Sequence, residues 1–538
     1  MQALVFLRYD PYEPVLFLTM KKILYLLFSM SILLGQNILS RVDHPVYQYL
    51  ERQESLGNIQ SEYWSTRPYT LNQINKMLME VESRSGDLSA NDIHILKRFQ
   101  IEFNRDFANE GITFPWSKSN LASLRKPGSQ SIKPFFITYK QSGMTGWINW
   151  RETFRIQGQG SDSRGFHTDY LGISGEKGSI AFTTQYTFHR VTRNDAFDQL
   201  PDSYKEGYIL NRDYIRWINW GYPTSSLTYT HSDFTLGIHR QPIYWGYSRN
   251  NSPIFSDNVN PLPHVQWTTE TTHLRFKFVH ARLSPNSASI ADTSNIRRNL
   301  SAHRVEFDIS PKFEFAFSEM VIYAYRDFEL GYLNPVNFLF AEEQASGDLD
   351  NKLMAIDFKW HTFSGFTTYG TWFFDELDFW KLFSGWWGNK FVFQLGGTYY
   401  PSASLPSINV EYTATRPWTY SHSNPVNSFT SGGRILGLKD GANTHSLRIR
   451  PEWQLNQKLY LRGEYARIVR GDDPGSEVLN SYSDREIENG EDTSFIVGEL
   501  ETFYYSSVLI NYYLNSTTSV LFSWEQDKVF EFGIKFDW

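Results

Sequence analysis

The feature that most constrains this chain is an alternation of apolar and polar residues that recurs between Ile132 and Trp538. It is clearest in the last segment, Val529 to Trp538, where apolar residues alternate with polar or small ones: Phe530, Phe532, Ile534, Phe536 and Trp538 against Glu531, Gly533, Lys535 and Asp537. Successive side chains of a strand point to opposite faces, so such a segment presents one apolar face and one polar face. Lipid on one side and a polar lumen on the other is the arrangement of a transmembrane β-barrel.

Other segments repeat the pattern. Phe313, Phe315 and Phe317 alternate with polar or small residues, and Ile148 to Ile156 does the same, although Glu152 interrupts its apolar face. A soluble β-sandwich also alternates, but its strands are usually only about five or six residues long. Several runs here reach the roughly 9 to 11 residues that a tilted strand needs to cross a bilayer.

The segment 132–538 is therefore predicted to be an antiparallel outer-membrane β-barrel, an all-β transmembrane fold. At about 20 to 25 residues per strand and connection, it holds about 16 to 20 strands. Bacterial barrels have even strand numbers, and we expect 18. The aromatic C-terminus is typical of the signal that barrel-assembly machinery reads, so that machinery is an expected partner during biogenesis.

Composition supports this fold class. Aromatic residues make up 17% of the chain, as suits interfacial girdles, whereas the mean hydropathy of -0.43 argues against a helical membrane protein. The absence of cysteine excludes disulfides, thiol nucleophiles and a lipid anchor on an N-terminal cysteine. The net charge of -7 disfavours nucleic acid as a partner.

The N-terminus has the layout of a secretory signal peptide. A positive start at Met20, Lys21 and Lys22 precedes the apolar stretch Ile23 to Leu34, and cleavage is expected between Gly35 and Ser40. Residues 1–40 are thus interpreted as an upstream extension plus a signal peptide with its true start at Met20. A short membrane anchor is the alternative, but the apolar run is below the roughly 20 residues of a spanning helix.

Residues 41–118 are predicted to form a small periplasmic helical region. Thr70 with Gln73 predicts a capping box, Ser89 with Asp92 repeats the start signal, and Gly57 and Gly86 are expected near helix ends. Two apolar stripes follow at helical spacing: Leu71, Ile74, Leu78 and Val81, then Ile93, Leu96, Phe99, Phe103 and Phe107. The region is either a plug of the barrel or an appendage without a gating role.

Long connections between strands are expected on the extracellular side. The predicted ones are 191–207, 249–264, 284–300, 374–388, 415–442 and 471–493. The last contains eight acidic residues and one basic residue, Arg485. It is interpreted as a solvated loop, with binding of divalent cations shared with lipopolysaccharide as the alternative.

Motifs in the middle of the chain resemble those of the capsule assembly Wzi family. They are GIHRQPIYWG at 237–246, Ser256 to Asn258, Pro261, LNPVNF at 333–338, RPWTYSH at 416–422 and the glycines from Gly432 to Gly441, preceded by HPVYQYLERQESLG at 44–57 and RPYT at 67–70. The resemblance covers nearly the whole mature chain. It implies an outer-membrane barrel of about 18 strands with an N-terminal helical bundle. It also implies a lectin-like, non-catalytic protein that holds capsular or other surface polysaccharide at the cell exterior.

Three segments carry the aromatic and planar polar side chains that bind sugars. Their candidate residues are Arg240, Gln241, Trp245, Asp257 and Asn258 in the first, Asp375, Glu376, Asp378, Trp380, Trp386 and Trp387 in the second, and Arg416, Trp418, Tyr420 and His422 in the third. Alternatively, Arg240 and Asp257 form an ion-pair network in the lumen, Trp418 and Tyr420 belong to an aromatic girdle, and Trp386 and Trp387 lie at the lipid interface.

Enzyme motifs are absent from the sequence. There is no GxSxG elbow, no HExxH zinc motif and no Walker loop, and the 13 histidines are not spaced as metal ligands. We therefore expect a protein without catalytic activity, cofactor or metal, in contact with surface polysaccharide, outer-membrane lipid and lipopolysaccharide. The alternatives are a diffusion channel for small solutes and an outer-membrane hydrolase that uses Asp375 and Glu376.

Overall fold

A computed structural model describes most of the chain. It covers residues 38–60, 65–84, 86, 88–105, 110–114, 135–192, 208–211, 217–249, 251–286, 296–347, 349–382, 384–401, 405–485, 491–514, 518–526 and 529–537. The predicted signal peptide up to residue 37, Phe107, Trp538 and most of the loop 191–207 lie outside these residues. Among the described helices, none has both the length and the apolar character to span a membrane.

Eighteen antiparallel strands form a closed barrel, and the last pairs with the first between Val529–Gln159 and Asp537–Arg151. They are β1 Met144–Gln159, β2 Asp162–Lys177, β3 Ile180–Thr192, β4 Trp217–His231, β5 Phe234–Gln241, β6 Leu262–Glu270, β7 Leu274–Leu283, β8 Arg298–Ser310, β9 Phe313–Ala324, β10 Asn351–Phe363, β11 Phe366–Glu376, β12 Lys390–Tyr399, β13 Ser407–Thr415, β14 Thr444–Gln454, β15 Leu459–Asp472, β16 Glu499–Tyr513, β17 Thr518–Glu525 and β18 Val529–Asp537. The predicted fold class and strand number are confirmed.

Shorter elements accompany the barrel. The short strands are Thr66–Arg67, Gly111–Thr113, Ile137–Gln141, Tyr208–Asn211, Tyr244–Trp245, Thr430–Ser431 and Arg434–Ile435. The helices are α1 Val46–Ser55, α2 Leu71–Ser83, α3 Ala90–Phe103, α4 Leu330–Leu333 and α5 Leu339–Ala345, with single 3-10 turns at Phe379–Lys381, Pro425–Asn427, Pro474–Ser476 and Tyr482–Asp484. Helices α4 and α5 lie in a long connection, 325–350, which the sequence analysis missed.

Connection lengths orient the barrel. At the end where β18 finishes, the strands are joined by turns as short as 178–179 and 311–312, whereas the other end carries connections such as 416–443 and 473–498. Outer-membrane barrels have short periplasmic turns and longer extracellular loops, so the second end is the outer one. One predicted boundary is wrong, because the loop expected at 249–264 begins at Pro242, where β5 ends.

The alternation of β18 is reproduced in three dimensions. Phe530 and Phe532 are 49% and 50% exposed on the outer wall, where lipid lies. Glu531, Lys535 and Asp537 line a cavity of about 620 Å³ inside the barrel. The period of two therefore separates a lipid face from a polar lumen, as the sequence predicts.

The N-terminal helices begin as the sequence predicts. Thr70 and Gln73 form a complete capping box, and the side chain of Ser89 accepts the backbone N–H of Asp92. The stripe of α2 is buried, but in α3 Ile95 is buried while Ile93 is only half-buried. Leu96, Phe99 and Phe103 are buried as predicted, and only Ile93 departs, because Ile95 takes the buried place beside them.

These helices lie inside the periplasmic end of the barrel. The Lys359 ammonium in β10 contacts the Glu54 carboxylate of α1 at 2.8 Å, and Gln48 donates to Glu452 of β14 at 3.0 Å. The helical residues share one apolar cluster with lumen-facing side chains of the wall, among them Trp147 and Tyr369. The helices thus pack onto the barrel, since short amphipathic helices bury too little surface to be stable alone.

Two outer loops also fold into the lumen. In the loop 242–261, Tyr244–Trp245 pairs with Thr66–Arg67, and the backbone N–H of Gly246 donates to Ser65 at 2.6 Å. The loop 416–443 covers it through an apolar cluster that includes Trp245, Phe255, Tyr420, Phe429 and Leu436. Within the described residues, the lumen therefore holds helices below and an apolar layer above.

Candidate functional site

Three loops converge at the outer end of the barrel: 377–389, 416–443 and 473–498. The Arg416 guanidinium connects them, because its Nη2 donates to the carbonyl oxygens of Gly385 and Trp386 at 3.2 Å and to Thr493 Oγ1 at 3.1 Å. The backbone N–H of Trp418 donates to the Gly475 carbonyl at 2.8 Å. The second and third predicted segments are thus joined in one place.

The backbone of RPWTYSH is unusual. Trp418 and Tyr420 adopt φ of +63° and +73°, a left-handed conformation that is costly for bulky residues. Local hydrogen bonds hold it, since the Tyr420 N–H donates to the Asp375 carboxylate at 2.6 Å and the Ser421 N–H donates to the Trp418 carbonyl at 3.1 Å. Strain that the surroundings fix in this way is characteristic of binding and catalytic sites.

A cavity of about 220 Å³ opens between these loops. Its lining includes Trp387, Trp418, Asp473, Asp484 and Arg485. Trp418 is only 4% exposed, and Asp473 Oδ1 accepts the backbone N–H of Gly475 at 2.8 Å. Arg485 Cζ lies 4.8 Å from the centroid of the Trp387 ring. Flat aromatic faces, forked donors and carboxylate acceptors in one cavity form a set that can stack against a sugar ring and bind its hydroxyls.

A second group of side chains supports the Trp387 indole. The rings of Trp387 and Tyr482 lie 6.2 Å apart, and Lys390 Nζ lies 3.4 Å from the Tyr482 centroid and 2.9 Å from the Glu376 carboxylate. Burial, with a contribution from Glu376, raises the pKa of Tyr482 above its ordinary value. Burial also lowers the pKa of His422, whose ring lies edge-on to Tyr482. Both groups are therefore neutral around pH 7.

Asp375 and Tyr420 lie beneath this surface. Asp375 is 4% exposed and Tyr420 is fully buried, with its hydroxyl donating to the Pro253 carbonyl at 2.9 Å. Their described hydrogen bonds hold the loop 416–443 in place. Contact of these two residues with a ligand stays a prediction.

The first predicted segment does not join this site. Trp245 is fully buried with its ring edge-on to Phe255, and Asn258 donates to the Ile435 carbonyl at 2.9 Å. Gln241 and Asp257 line the cavity of about 620 Å³ instead. Gln241 ends β5, and the other three belong to the outer loop 242–261, which folds into the lumen.

The expected ion pair between Arg240 and Asp257 does not form. Asp257 pairs with Lys439 at 3.0 Å. Arg240 follows the buried His239 and the 64% exposed Ile238, so alternation places it on the outward face. The two residues lie on different sides of the wall because β5 ends at Gln241 and the chain then turns inward.

Sequence reasoning missed four residues of the outer site: Asp473, Tyr482, Asp484 and Arg485. All come from the segment 471–493, which was interpreted as a solvated acidic loop. A signal existed, since Arg485 is its only basic residue and lies near an aromatic one. Arg485 can be recognised as a site residue only once the structure places it beside Trp387.

Comparisons with known proteins concern the fold. No protein-family model matches the sequence, and no curated protein matches it. Among solved structures, the chain is similar to Wzi of Escherichia coli, described as an outer membrane protein involved in group 1 capsule assembly and a carbohydrate-binding β-barrel; the identity is 12%, the TM-score is 0.57, and 93% of this chain and 99% of that chain are covered. OprD of Pseudomonas aeruginosa matches at 9% identity and a TM-score of 0.40, over 73% of this chain and 94% of that one. The likeness to Wzi confirms the predicted fold resemblance, and the closed barrel with its apolar outer wall agrees with the predicted outer-membrane location.

Proposed function

We propose that the protein binds capsular or other surface polysaccharide at the cell exterior, without catalysing a reaction. The observation that carries this proposal is the outer cavity, which is lined by Trp387 and Trp418 together with Arg485, Asp473 and Asp484. A sugar residue stacks its C–H face on an indole, while guanidinium and carboxylate groups exchange hydrogen bonds with its hydroxyls.

The cavity is held in shape before a ligand arrives. Arg416 joins the three loops, and the backbone N–H of Trp387 donates to the Glu491 carbonyl at 2.9 Å. A site whose loops are ordered in advance loses less conformational entropy on binding. This supports recognition of a neutral or charged glycan chain through a few fixed contacts.

The narrowed lumen favours retention over permeation. The helices α1 to α3 and the apolar cluster around Trp245 and Tyr420 occupy much of the interior in the described part of the chain and leave the cavity of about 620 Å³ beside them. The fold likeness to Wzi, which is itself described as carbohydrate-binding, supports the proposed binding of polysaccharide. Contacts with lipopolysaccharide, lipid and barrel-assembly machinery remain expectations.

The hydrolase alternative receives no support from the carboxylates it needs. Asp375 accepts the Tyr420 N–H, and Glu376 pairs with Lys390. A general acid or base has to reach the substrate proton, whereas both groups are bound to their own chain. The absence of catalysis stays a prediction.

Binding by the purified barrel tests the proposal. The polysaccharide shed by the producing cells is titrated against the detergent-solubilised protein, and Trp387→Ala is expected to weaken binding by about tenfold, or about 1.4 kcal/mol. Trp380→Ala is the matched control, because Trp380 lies in the same loop and is 98% exposed without lining the cavity. Equal affinity of the wild type and Trp387→Ala would reject this cavity as the site.

A further inference from the structure

Glu152, which interrupts the apolar face of β1, belongs to a cluster on the outer wall. It pairs in register with Asp169 of β2, and Phe154 beside it pairs with His167. Glu152, His167 and Asp169 each offer a ligand atom, and these atoms lie within 4.8 Å of one another. The three residues are not recognisable as a site in the sequence, because only the pairing of β1 with β2 brings them together.

The cluster faces lipid. The outward residues around it are apolar and exposed: Trp150 is 39%, Phe154 44%, Ile156 60% and Leu171 51% exposed. Glu152 lies in the middle of the apolar run Ile148 to Ile156. Ionised side chains on the lipid face of a barrel are unfavourable, and most so near the midplane.

The neighbouring strands do not place a base directly beside either carboxylate. The other register partner of Glu152 is Phe536, and that of Asp169 is Phe188. His167 Nε2 lies 3.2 Å from Asp169 Oδ1. Two carboxylates directly opposite each other repel, and one imidazole can neutralise only one of them.

The nearest strong base points elsewhere. Arg190 is the register partner of His167, but its Nε donates to Asn219 on β4 at 3.2 Å, and its guanidinium lies 5.7 Å from the Phe188 ring centroid. A divalent cation bound between the two carboxylates would neutralise them.

We propose that Glu152, His167 and Asp169 bind a divalent transition-metal ion, with Zn²⁺ as the best fit. An imidazole nitrogen and two carboxylate oxygens are ligands that Zn²⁺ accepts, and three protein ligands leave one coordination position open. The His167 ring is fixed for this role by stacking on Phe154, with centroids 4.4 Å apart and planes at 9°.

The metal would link β1 to β2, beside the seam at which β1 pairs with the closing strand β18. Glu152 lies in β1, between β2 on one side and the closing strand β18 on the other. Bound metal neutralises the lipid-facing charges and ties β1 to β2. We therefore expect metal to stabilise the folded barrel, since a ligand that binds only the folded state raises its stability.

Titration of the full-length barrel in detergent with Zn²⁺ tests this inference, after any affinity tag has been removed. We expect one ion per chain in the wild type, loss of binding in Glu152→Gln and His167→Asn, and visible absorption of a low-symmetry complex when Co²⁺ replaces Zn²⁺. His231→Asn is the matched control, because His231 is an exposed histidine near Asp233 in a periplasmic turn. It should bind as the wild type does.

Thermal unfolding in the same detergent shows that the variants are folded. With a chelator present, Glu152→Gln should melt at or above the wild-type temperature, because it removes a lipid-facing charge. Addition of Zn²⁺ should raise the melting temperature of the wild type and of His231→Asn only. Absence of stoichiometric binding in the wild type, or binding that persists in both cluster variants, would overturn the inference.

Discussion

The Arg416 guanidinium donates a hydrogen bond from Nη2 to the backbone carbonyl of Trp386 at 3.2 Å. This contact fixes the loop that carries Trp387 against the loop that carries Trp418. The geometry of the proposed glycan cavity therefore depends on one side chain that does not line it.

Arg416→Lys should weaken polysaccharide binding although the positive charge is kept. An ammonium on a flexible stem cannot reproduce the contacts that the planar guanidinium makes with both loops. Each hydrogen bond lost costs about 0.5 to 1.5 kcal/mol, so the cavity loosens while the barrel stays folded. The measurement is polysaccharide affinity beside thermal unfolding. Arg434 lies in the same loop as Arg416 and donates to the Asn258 carbonyl at 3.0 Å. Arg434→Lys is the control and should leave affinity unchanged.

Polysaccharide binding should weaken as the pH falls below about 6.5, the ordinary pKa of histidine. Burial lowers the pKa of His422 below 6.5, with Lys390 lowering it further and the backbone of Asn424 and Glu376 opposing. When the loops loosen, His422 is no longer buried and takes up a proton more readily than it does in the folded loops. The stability of the folded loops is therefore full above about pH 6.5 and falls below it. Affinity measured at about pH 7.5 and about pH 5.5 should differ, and His422→Gln should remove much of that difference. An unchanged pH profile in this variant would exclude His422 as the cause.

The barrel should conduct no steady current in a planar bilayer. Helices α1 to α3 fill the periplasmic end, and the apolar layer around Trp245 lies above them. A pore needs a continuous path of water, and the helices with the apolar layer narrow the lumen to a cavity of about 620 Å³ along β1 to β4 and β16 to β18. An open porin in the same bilayer serves as the control. Stable single-channel steps from the wild type would instead favour the diffusion channel.

Trp245→Ala should destabilise the lumen filling by about 3 to 5 kcal/mol. The side chain is fully buried, packs edge-on against Phe255 at 4.9 Å and belongs to the strand that pairs with Thr66–Arg67. Its removal leaves a cavity that links the inward loop to the helices. Denaturant unfolding and protease resistance measure the loss. Trp360→Ala, on the lipid-facing wall, provides the comparison and should cost less.

The barrel could be predicted from sequence because its determinants are local. Phe530 and Glu531 show which face meets lipid within two residues, and Thr70 with Gln73 marks a helix start within four. Strand number followed from segment length, since each crossing uses a nearly fixed number of residues. The turn that carries Glu152 to Asp169 is equally local, yet its significance became visible only in the paired strands.

The sequence by itself determined the barrel, its location and the kinds of side chain available for a glycan. Tertiary structure alone decided which of them meet. Trp245 and Trp387 looked alike in the sequence, but the first is buried in the lumen against Phe255, while the second lies beside Arg485 in the lining of the outer cavity. The physical reason is that alternation specifies a face, whereas the path of a long loop depends on packing between residues far apart in the chain.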